Sequence, residues 1–326
     1  MKTEILEPTD INILRCSAAL KAGELVAFPT ETVYALGAVA TDAQAVKKVY
    51  DVKKRPLDKA LIVAVAKKSD IQKVASSIPE KAQMLIDKFM PGALTLVLDR
   101  SELIPDEVTA GSNSVAVRIP DNDIAKKLIE LSGAPVAVPS ANTADKASPT
   151  LAKHVKDDLD GMVQYILDGG ASKIGIESTI VDARTDPPTV LRAGGVTVKQ
   201  IESVIGKVKK SRENAKLSGY MPNAEVQFSA FYEGMEQNIC SRYDHIVGQG
   251  KNAVILCLDG NKKAYGNRKV CTVGKDYAEY AHNLFATLRK ADSEHYDVVI
   301  AEGVNPEGLG EALVARLIKL SGGLII

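Results

Sequence analysis

The chain has no tryptophan, five phenylalanines and four histidines. So few aromatics leave little of the stacking platform on which single-stranded nucleic acids are held. The histidines (His154, His245, His282, His295) lie far apart and no H-E-x-x-H occurs, so zinc hydrolysis lacks a ligand set. Four cysteines, Cys16, Cys240, Cys257 and Cys271, form no C-x-x-C pair, and they read as buried reduced thiols. Net charge is missing too, with 41 basic side chains against 41 acidic ones. No global field draws the protein to nucleic acid or anionic lipid, so any anion site must be local. No stretch approaches the roughly 20 apolar residues of a membrane span, and "MKTEILEPTD" lacks the apolar core of a signal peptide. The expectation is a soluble, cytoplasmic protein that does not engage a membrane.

The usual phosphate-binding glycines are absent as well. There is no G-x-x-x-x-G-K-[ST] and no G-x-S-x-G elbow. "GQGKNA" (residues 248–253) matches G-x-G-x-x-A but precedes a strand, whereas the mechanism needs glycines between strand and helix.

What is present is α/β alternation in two blocks. A chain of 326 residues is long for one core and suggests two domains. In the first, "DINILRCSAALKAG" reads as a helix stopped by Gly23. "ELVAF", "ALIVAV", "LTLVL", "SVAVRI", "APVAVP", "MVQYIL", "STIVDA" and "TVLRA" read as strands, with helices over 42–53, 80–89, 123–132 and 198–205. Helices between only some strands predict a mixed sheet. Residues 206–224, "GKVKKSRENAKLSGYMPNA", are polar and basic without periodicity, and read as a linker between domains at 1–205 and 225–326. Beyond it, strands at "VQFSAF", "NAVILCL", "KVCTVG" and "YDVVIA" alternate with helices over 235–247, 277–291 and "GEALVARLIKL". That is a small Rossmann-like parallel α/β domain.

Six strand ends carry the chemistry. "FPTETVYALGA" puts Thr30 and Thr32 just past a strand, where ligands sit in open α/β sheets. An ordinary threonine-capped turn would look the same. "VKKRPLDKAL" crowds Lys53, Lys54, Arg55 and Lys59 around one proline. The negative end of a helix dipole accounts for Lys53 and Lys54, not for Arg55 and Lys59. In "SVAVRIP", Ser114, Ala116 and Arg118 share one strand face. "VPSANTADKASPT" offers Ser140, Asn142 and Ser148; "IGIESTIVDA" offers Ser178; "VLRAGG" offers Arg192. Glu31 and Glu177 are almost the only carboxylates among them. Such a donor-rich cup suits a polyphosphate held by charge-assisted hydrogen bonds, each contributing about 1.5–3 kcal/mol.

"PTETVYALGA", "KKRPLDKAL", "PGALTLVL", "VAVRIP", "PSANTADKASPT", "GIESTIVD" and "VLRAGG" follow one another as in the YrdC/Sua5 family of threonylcarbamoyl-AMP synthases, which residues 4–205 resemble. The tail, with "EGLGEALVARLIKLSGG", resembles the extra domain of the two-domain Sua5 form. The resemblance implies a mixed twisted YrdC-like sheet with a concave basic cavity. It implies that L-threonine, bicarbonate and ATP, with Mg²⁺, give threonylcarbamoyl-AMP and pyrophosphate. That product is passed to a tRNA threonylcarbamoyl transferase complex for the t6A37 modification; whether this chain touches tRNA itself stays open. The family's K-x-R and S-x-N signature falls on Lys53, Arg55, Ser140 and Asn142. By the same matching Arg55, Lys59, Ser114, Ser140, Ser148 and Arg192 hold ATP, while Thr32, Arg118, Val138 and Ser178 hold threonine, and no protein side chain is assigned to metal. On this picture Lys53, Arg55 and Lys59 face the triphosphate.

The chain departs from the family pattern at Ala35, where glycine is usual, at Ala60, where proline is usual, and at Ala64, where many relatives carry a histidine. The linker's K-x-x-H-Y-x-P element, expected to close over the site, keeps Tyr220 and Pro222 but loses its histidine. Two other readings remain: an RNA-binding YrdC-like protein without ATP turnover, and a carbamoyl-adenylate enzyme of the hydrogenase-maturation type.

Overall fold

The computed structural model describes residues 2–144, 146–211 and 222–326. They fall into two compact units, one within Met1–Ala144 and Ser148–Glu213, the other within Asn214–Ile326 together with Asp145–Ala147.

The first unit is built on eleven strands: β1 (Glu4–Leu6), β2 (Val26–Phe28), β3 (Ala35–Val39), β4 (Ile62–Ala64), β5 (Leu94–Asp99), β6 (Ser114–Arg118), β7 (Val136–Ala137), β8 (Tyr165–Leu167), β9 (Thr179–Asp182), β10 (Thr189–Arg192) and β11 (Lys209–Lys210). Their order is β1-β8-β2-β3-β7-β4-β6-β5-β9-β10-β11, with parallel and antiparallel neighbours mixed, as the spacing of helices predicted. Its helices are α1 (Asp10–Lys21), α2 (Ala43–Lys53), α3 (Ile71–Val74), α4 (Glu80–Phe89), α5 (Asp106–Thr109), α6 (Asp123–Ser132), α7 (Ala152–Leu159) and α8 (Val198–Ile205). Local chemistry sets their ends. Thr9 caps α1, and Gly23 follows that helix at φ 76°. Asn122 caps α6, and Thr197 and Gln200 close a capping box on α8.

Both faces of the sheet are covered. Leu36, Val63, Leu96 and Val117 pack with Val46 and Val49 of α2, Leu85 of α4 and Ile201 of α8. On the other side Phe28, Val136 and Leu167 pack with Leu20 of α1 and Leu128 of α6. Strand alternation does the sorting, since successive side chains point to opposite faces.

The sequence reading missed β3. "YALGAV" was expected as part of a turn, because Ala35, Gly37 and Ala38 have low strand propensity. The tertiary surroundings require that smallness. A Cβ on Gly37 would meet the Phe28 ring at 2.7 Å and Val136 Cγ1 at 3.0 Å. The segment expected as a linker also begins as structure: β11 pairs in parallel with β10 and extends the sheet by one strand. Tyr220 lies outside the described residues.

The second unit has four parallel strands, β12 (Glu225–Phe228), β13 (Ala253–Cys257), β14 (Val270–Thr272) and β15 (Val298–Ala301), in the order β12-β15-β13-β14. All four were legible in sequence, as were α9 (Met235–Gly248), α10 (Tyr277–Ser293) and α11 (Leu309–Leu320). Ile239 and Tyr243 of α9 cover Ile255 and Ile300. Among the described residues no helix is long and apolar enough to cross a membrane.

Candidate functional site

β2 ends at Phe28 and the chain reverses into β3 through Pro29–Tyr34. Inside that turn Thr30 Oγ1 donates to Val33 O at 2.6 Å and lies 2.9 Å from Thr32 Oγ1. Thr30 therefore holds the turn together, while Thr32 lines a cleft. The cleft is shallow and open to solvent, with Phe28, Ala64, Arg118, Val138 and Ser140 on its walls. Three of the four residues matched to threonine, Thr32, Arg118 and Val138, are thus brought together with Ser140 from the ATP set. They come from the ends of β2, β6 and β7. Ala64, paired with Arg118 across β4 and β6, leaves open the wall that a histidine would fill in many relatives.

Arg118 is 9% exposed at its side chain and lies 2.6 Å, through Nη2, from Glu31 Oε1, itself 4% exposed. Nη2 and both Glu31 oxygens form no hydrogen bond, so the pair is close but off the line a hydrogen bond needs. Arg118 Nε donates to Gly92 O at 3.3 Å, which fixes the base of the guanidinium. Sequence reasoning noted Glu31 only as a rare carboxylate. Its pairing with Arg118 was invisible because Glu31 lies in the β2–β3 turn and Arg118 at the end of β6, far apart in sequence.

The cation cluster divides. Lys53 does not face outward with Arg55 and Lys59, as the resemblance implied. It is 2% exposed, and its ammonium donates to Ser140 O and Asn142 O, with Asn142 Oδ1 also in reach. The cause is the left-handed Lys54 (φ 50°), which ends α2 and turns the chain outward only after Lys53. Burial first, then the neighbouring Arg55 guanidinium, pushes the Lys53 pKa down to about 7, while Asp158 pulls it up. Three oxygens around Nζ favour the ammonium, which has a proton for each. Lys53 thereby ties the two halves of the signature together, as the clamp on the 140–142 segment. Arg55 folds back on its own loop, donating to Lys59 O at 3.1 Å and Ala60 O at 3.0 Å. Burial lowers its pKa, against the opposing pull of Tyr50 and Asp58. Lys59 is half-buried in the same loop.

Ser178 and Arg192, matched to different substrates, form one unit. Arg192 donates through Nε and Nη2 to Ser178 O at 3.0 and 2.9 Å, and through Nη2 to Ser178 Oγ at 3.2 Å. A register shift between Val190 and Arg192 in β10 re-aims the guanidinium across β9. Gly194 permits the approach, since a Cβ there would meet Glu177 O at 2.3 Å. Behind Ser178 stands Thr95 Oγ1 at 2.7 Å, a partner that sequence gave no sign of. Ser148 Oγ donates to Glu177 Oε1 at 2.7 Å. Ser114 lies at the other end of β6 from Arg118, about 13 Å away at the usual strand rise, with its hydroxyl 2.8 Å from Ser112 Oγ.

This set can hold a carboxylate at Arg118 and present hydroxyls and cations along several strand ends. Known proteins resemble the chain over its whole length. The Sua5/YciO/YrdC family model, described as "Telomere recombination", matches residues 18–194. The one described as "Threonylcarbamoyl-AMP synthase, C-terminal domain" matches residues 196–322. A threonylcarbamoyl-AMP synthase of Pyrococcus abyssi is 42% identical over 94% of this chain and 93% of its own. One from Bacillus subtilis is 39% identical over 99% and 97%. The crystal structure of P. abyssi Sua5 complexed with L-threonine superposes with a TM-score of 0.93 at 39% identity, covering all of this chain and 98% of the other.

Proposed function

Because the chain belongs to the Sua5/YciO/YrdC family, we propose that it is a threonylcarbamoyl-AMP synthase, a nucleotidyltransferase that condenses L-threonine, bicarbonate and ATP. The observation that carries this reading is the cleft in which Arg118, Thr32, Val138 and Ser140 meet, next to the segment clamped by Lys53. Threonine lies there with its carboxylate on Arg118, since a guanidinium binds a carboxylate through charge-assisted hydrogen bonds. Ser178 and Arg192 complete the acceptor and donor set around it. Arg55, Lys59, Ser140, Ser148 and Ser114 follow the nucleotide, whose length suits the spacing along β6.

Carbamate formed from threonine's amine attacks the α-phosphorus and pyrophosphate leaves. Charge grows on the leaving group, so fixed cations and donors lower the barrier without a covalent enzyme intermediate. Mg²⁺ would enter with the ATP substrate and supply positive charge to its phosphates, and no side chain of this chain is assigned to hold it. The product goes to a tRNA threonylcarbamoyl transferase complex in the cytoplasm.

Pyrophosphate release from Mg²⁺-ATP, with threonine and bicarbonate omitted one at a time, tests the reading. Release that requires both, with threonylcarbamoyl adenylate seen by mass spectrometry, is the expected result. Release indifferent to threonine overturns it.

A further inference from the structure

Two glutamates lie among the six strand ends, and their states differ. Glu177 accepts a hydrogen bond from Ser148 Oγ at 2.7 Å. Neither oxygen of Glu31 accepts one, although its side chain is 4% exposed. Its neighbours do not supply donors: the Thr30 hydroxyl serves Val33 O and Thr32, and the backbone carbonyl of Glu31 is taken by Ile174 N–H at 2.7 Å. Arg118 is equally incomplete, with Nε on Gly92 O and Nη2 facing Glu31 without a hydrogen bond. A buried ion pair normally needs further hydrogen bonds to offset its lost hydration; these two groups leave that capacity open, Arg118 on the wall of the cleft and Glu31 directly behind it. The open capacity has a polarity: one positive and one negative end, 2.6 Å apart. An α-amino acid zwitterion carries its carboxylate and ammonium on one carbon, with the complementary polarity.

We propose that Glu31 and Arg118 form a two-ended receptor for the zwitterionic amino acid, in which Arg118 takes the carboxylate and Glu31 takes the ammonium and then one of its protons. This rests on the synthase reading above. An N–H bond of the ammonium breaks and an O–H bond forms on Glu31. The freed nitrogen pair attacks the bicarbonate carbon and forms the C–N bond, and the carbon's hydroxyl leaves with a second amine proton as water. Glu31 then returns its proton to solvent, so one proton is released per carbamate. The pairing seen here is the substrate-free state of the receptor, each end holding the other until the zwitterion separates them.

The test is calorimetric binding to the full-length protein of two ligands, L-threonine and the analogue bearing a hydroxyl in place of its ammonium. The wild type is expected to prefer threonine by tenfold or more, roughly the discrimination one charge contact gives. Glu31→Gln should bring the two within about twofold of each other, and should lower kcat as well as raise the threonine KM. Glu31→Asp keeps the charge and should keep most of the preference, which guards against a Gln variant that is merely misfolded. Equal weakening of both ligands by Glu31→Gln, with the wild-type ratio intact, overturns the receptor and leaves Glu31 as a brace for Arg118. A wild type that binds neither ligand would instead bring down the synthase reading, and the receptor with it.

Discussion

Each unit of this protein buries a glutamate at or near a strand end, and the two glutamates are treated in opposite ways. Glu302, just after β15 in the second unit, accepts from Leu258 N–H at 3.0 Å and from Asn261 Nδ2. Burial raises its pKa, the two hydrogen bonds lower it, and Glu236 raises it further. The hydroxyls of Tyr265 and Tyr280, which face Glu302, are neutral groups that form no hydrogen bond. Glu31, in the first unit, has a cation beside it and accepts no hydrogen bond. A satisfied buried carboxylate braces a loop, whereas an unsatisfied one beside a cleft keeps a place for something else. The first unit is arranged to receive a ligand in this respect, and the second to hold its own shape.

The largest effect that could break the comparison is Arg118→Ala. It leaves Glu31 buried with no counter-charge, so stability should fall by about 3–5 kcal/mol in denaturant unfolding. The threonine KM should rise at least about a hundredfold, and the ATP KM far less. An unchanged threonine KM would show that Arg118 does not hold the carboxylate.

Lys53→Met comes next. It strips the donor from two carbonyls, each costing about 1–3 kcal/mol if left unpaired, and should loosen the 140–142 segment enough to raise the ATP KM about tenfold. It also has a pH signature. With a folded pKa of about 7 against about 10.4 in the unfolded chain, the unfolded state holds more protons in between. Stability should therefore climb as pH rises from about 7 to about 10, and the variant should lose that part of the slope. A slope identical in both proteins would mean that the oxygens around Nζ keep the ammonium charged throughout.

Glu302→Gln sharpens the contrast from the other side. One carboxylate oxygen becomes an amide that faces a donor, which should cost about 1–3 kcal/mol with the threonine KM within about twofold of wild type. A large change in that KM would erase the distinction between the two glutamates. The smallest effect is expected for Ser178→Ala, which removes the Oγ contacts to Thr95 and Arg192. About 1 kcal/mol of stability and a several-fold rise in threonine KM would fit, because Arg192 keeps its bonds to the Ser178 carbonyl.

The second unit was almost wholly legible, because β13 and β15 are continuous apolar runs and its helices are well spaced, the pattern of a parallel sheet covered on both faces. In the first unit, α4, α6 and α8 were found to the residue, since their caps and apolar stripes are local signals. The strands β1, β3 and β11 and the helices α3, α5 and α7 were not. All but α7 are two to five residues long, and their identity rests on the partners they meet. The candidate site shows the same division. The family resemblance pointed to Thr32, Arg118, Val138 and Ser140, and the cleft holds all four. The partners of those residues were hidden. Glu31, Gly92 and Thr95 are reached across strands, and sequence distance says nothing about them.

By itself, then, the sequence determined the two-block α/β architecture, the family and the identity of the polar strand ends. All of these are written in local periodicity, turn chemistry and the order of short motifs. Only the tertiary structure decided which cation turns inward, which glutamate is left unsatisfied and how Ser178 and Arg192 join. Those outcomes depend on burial and on neighbours brought together from distant strands. A lysine pointing at carbonyls and a lysine pointing at solvent are spelled with the same letter.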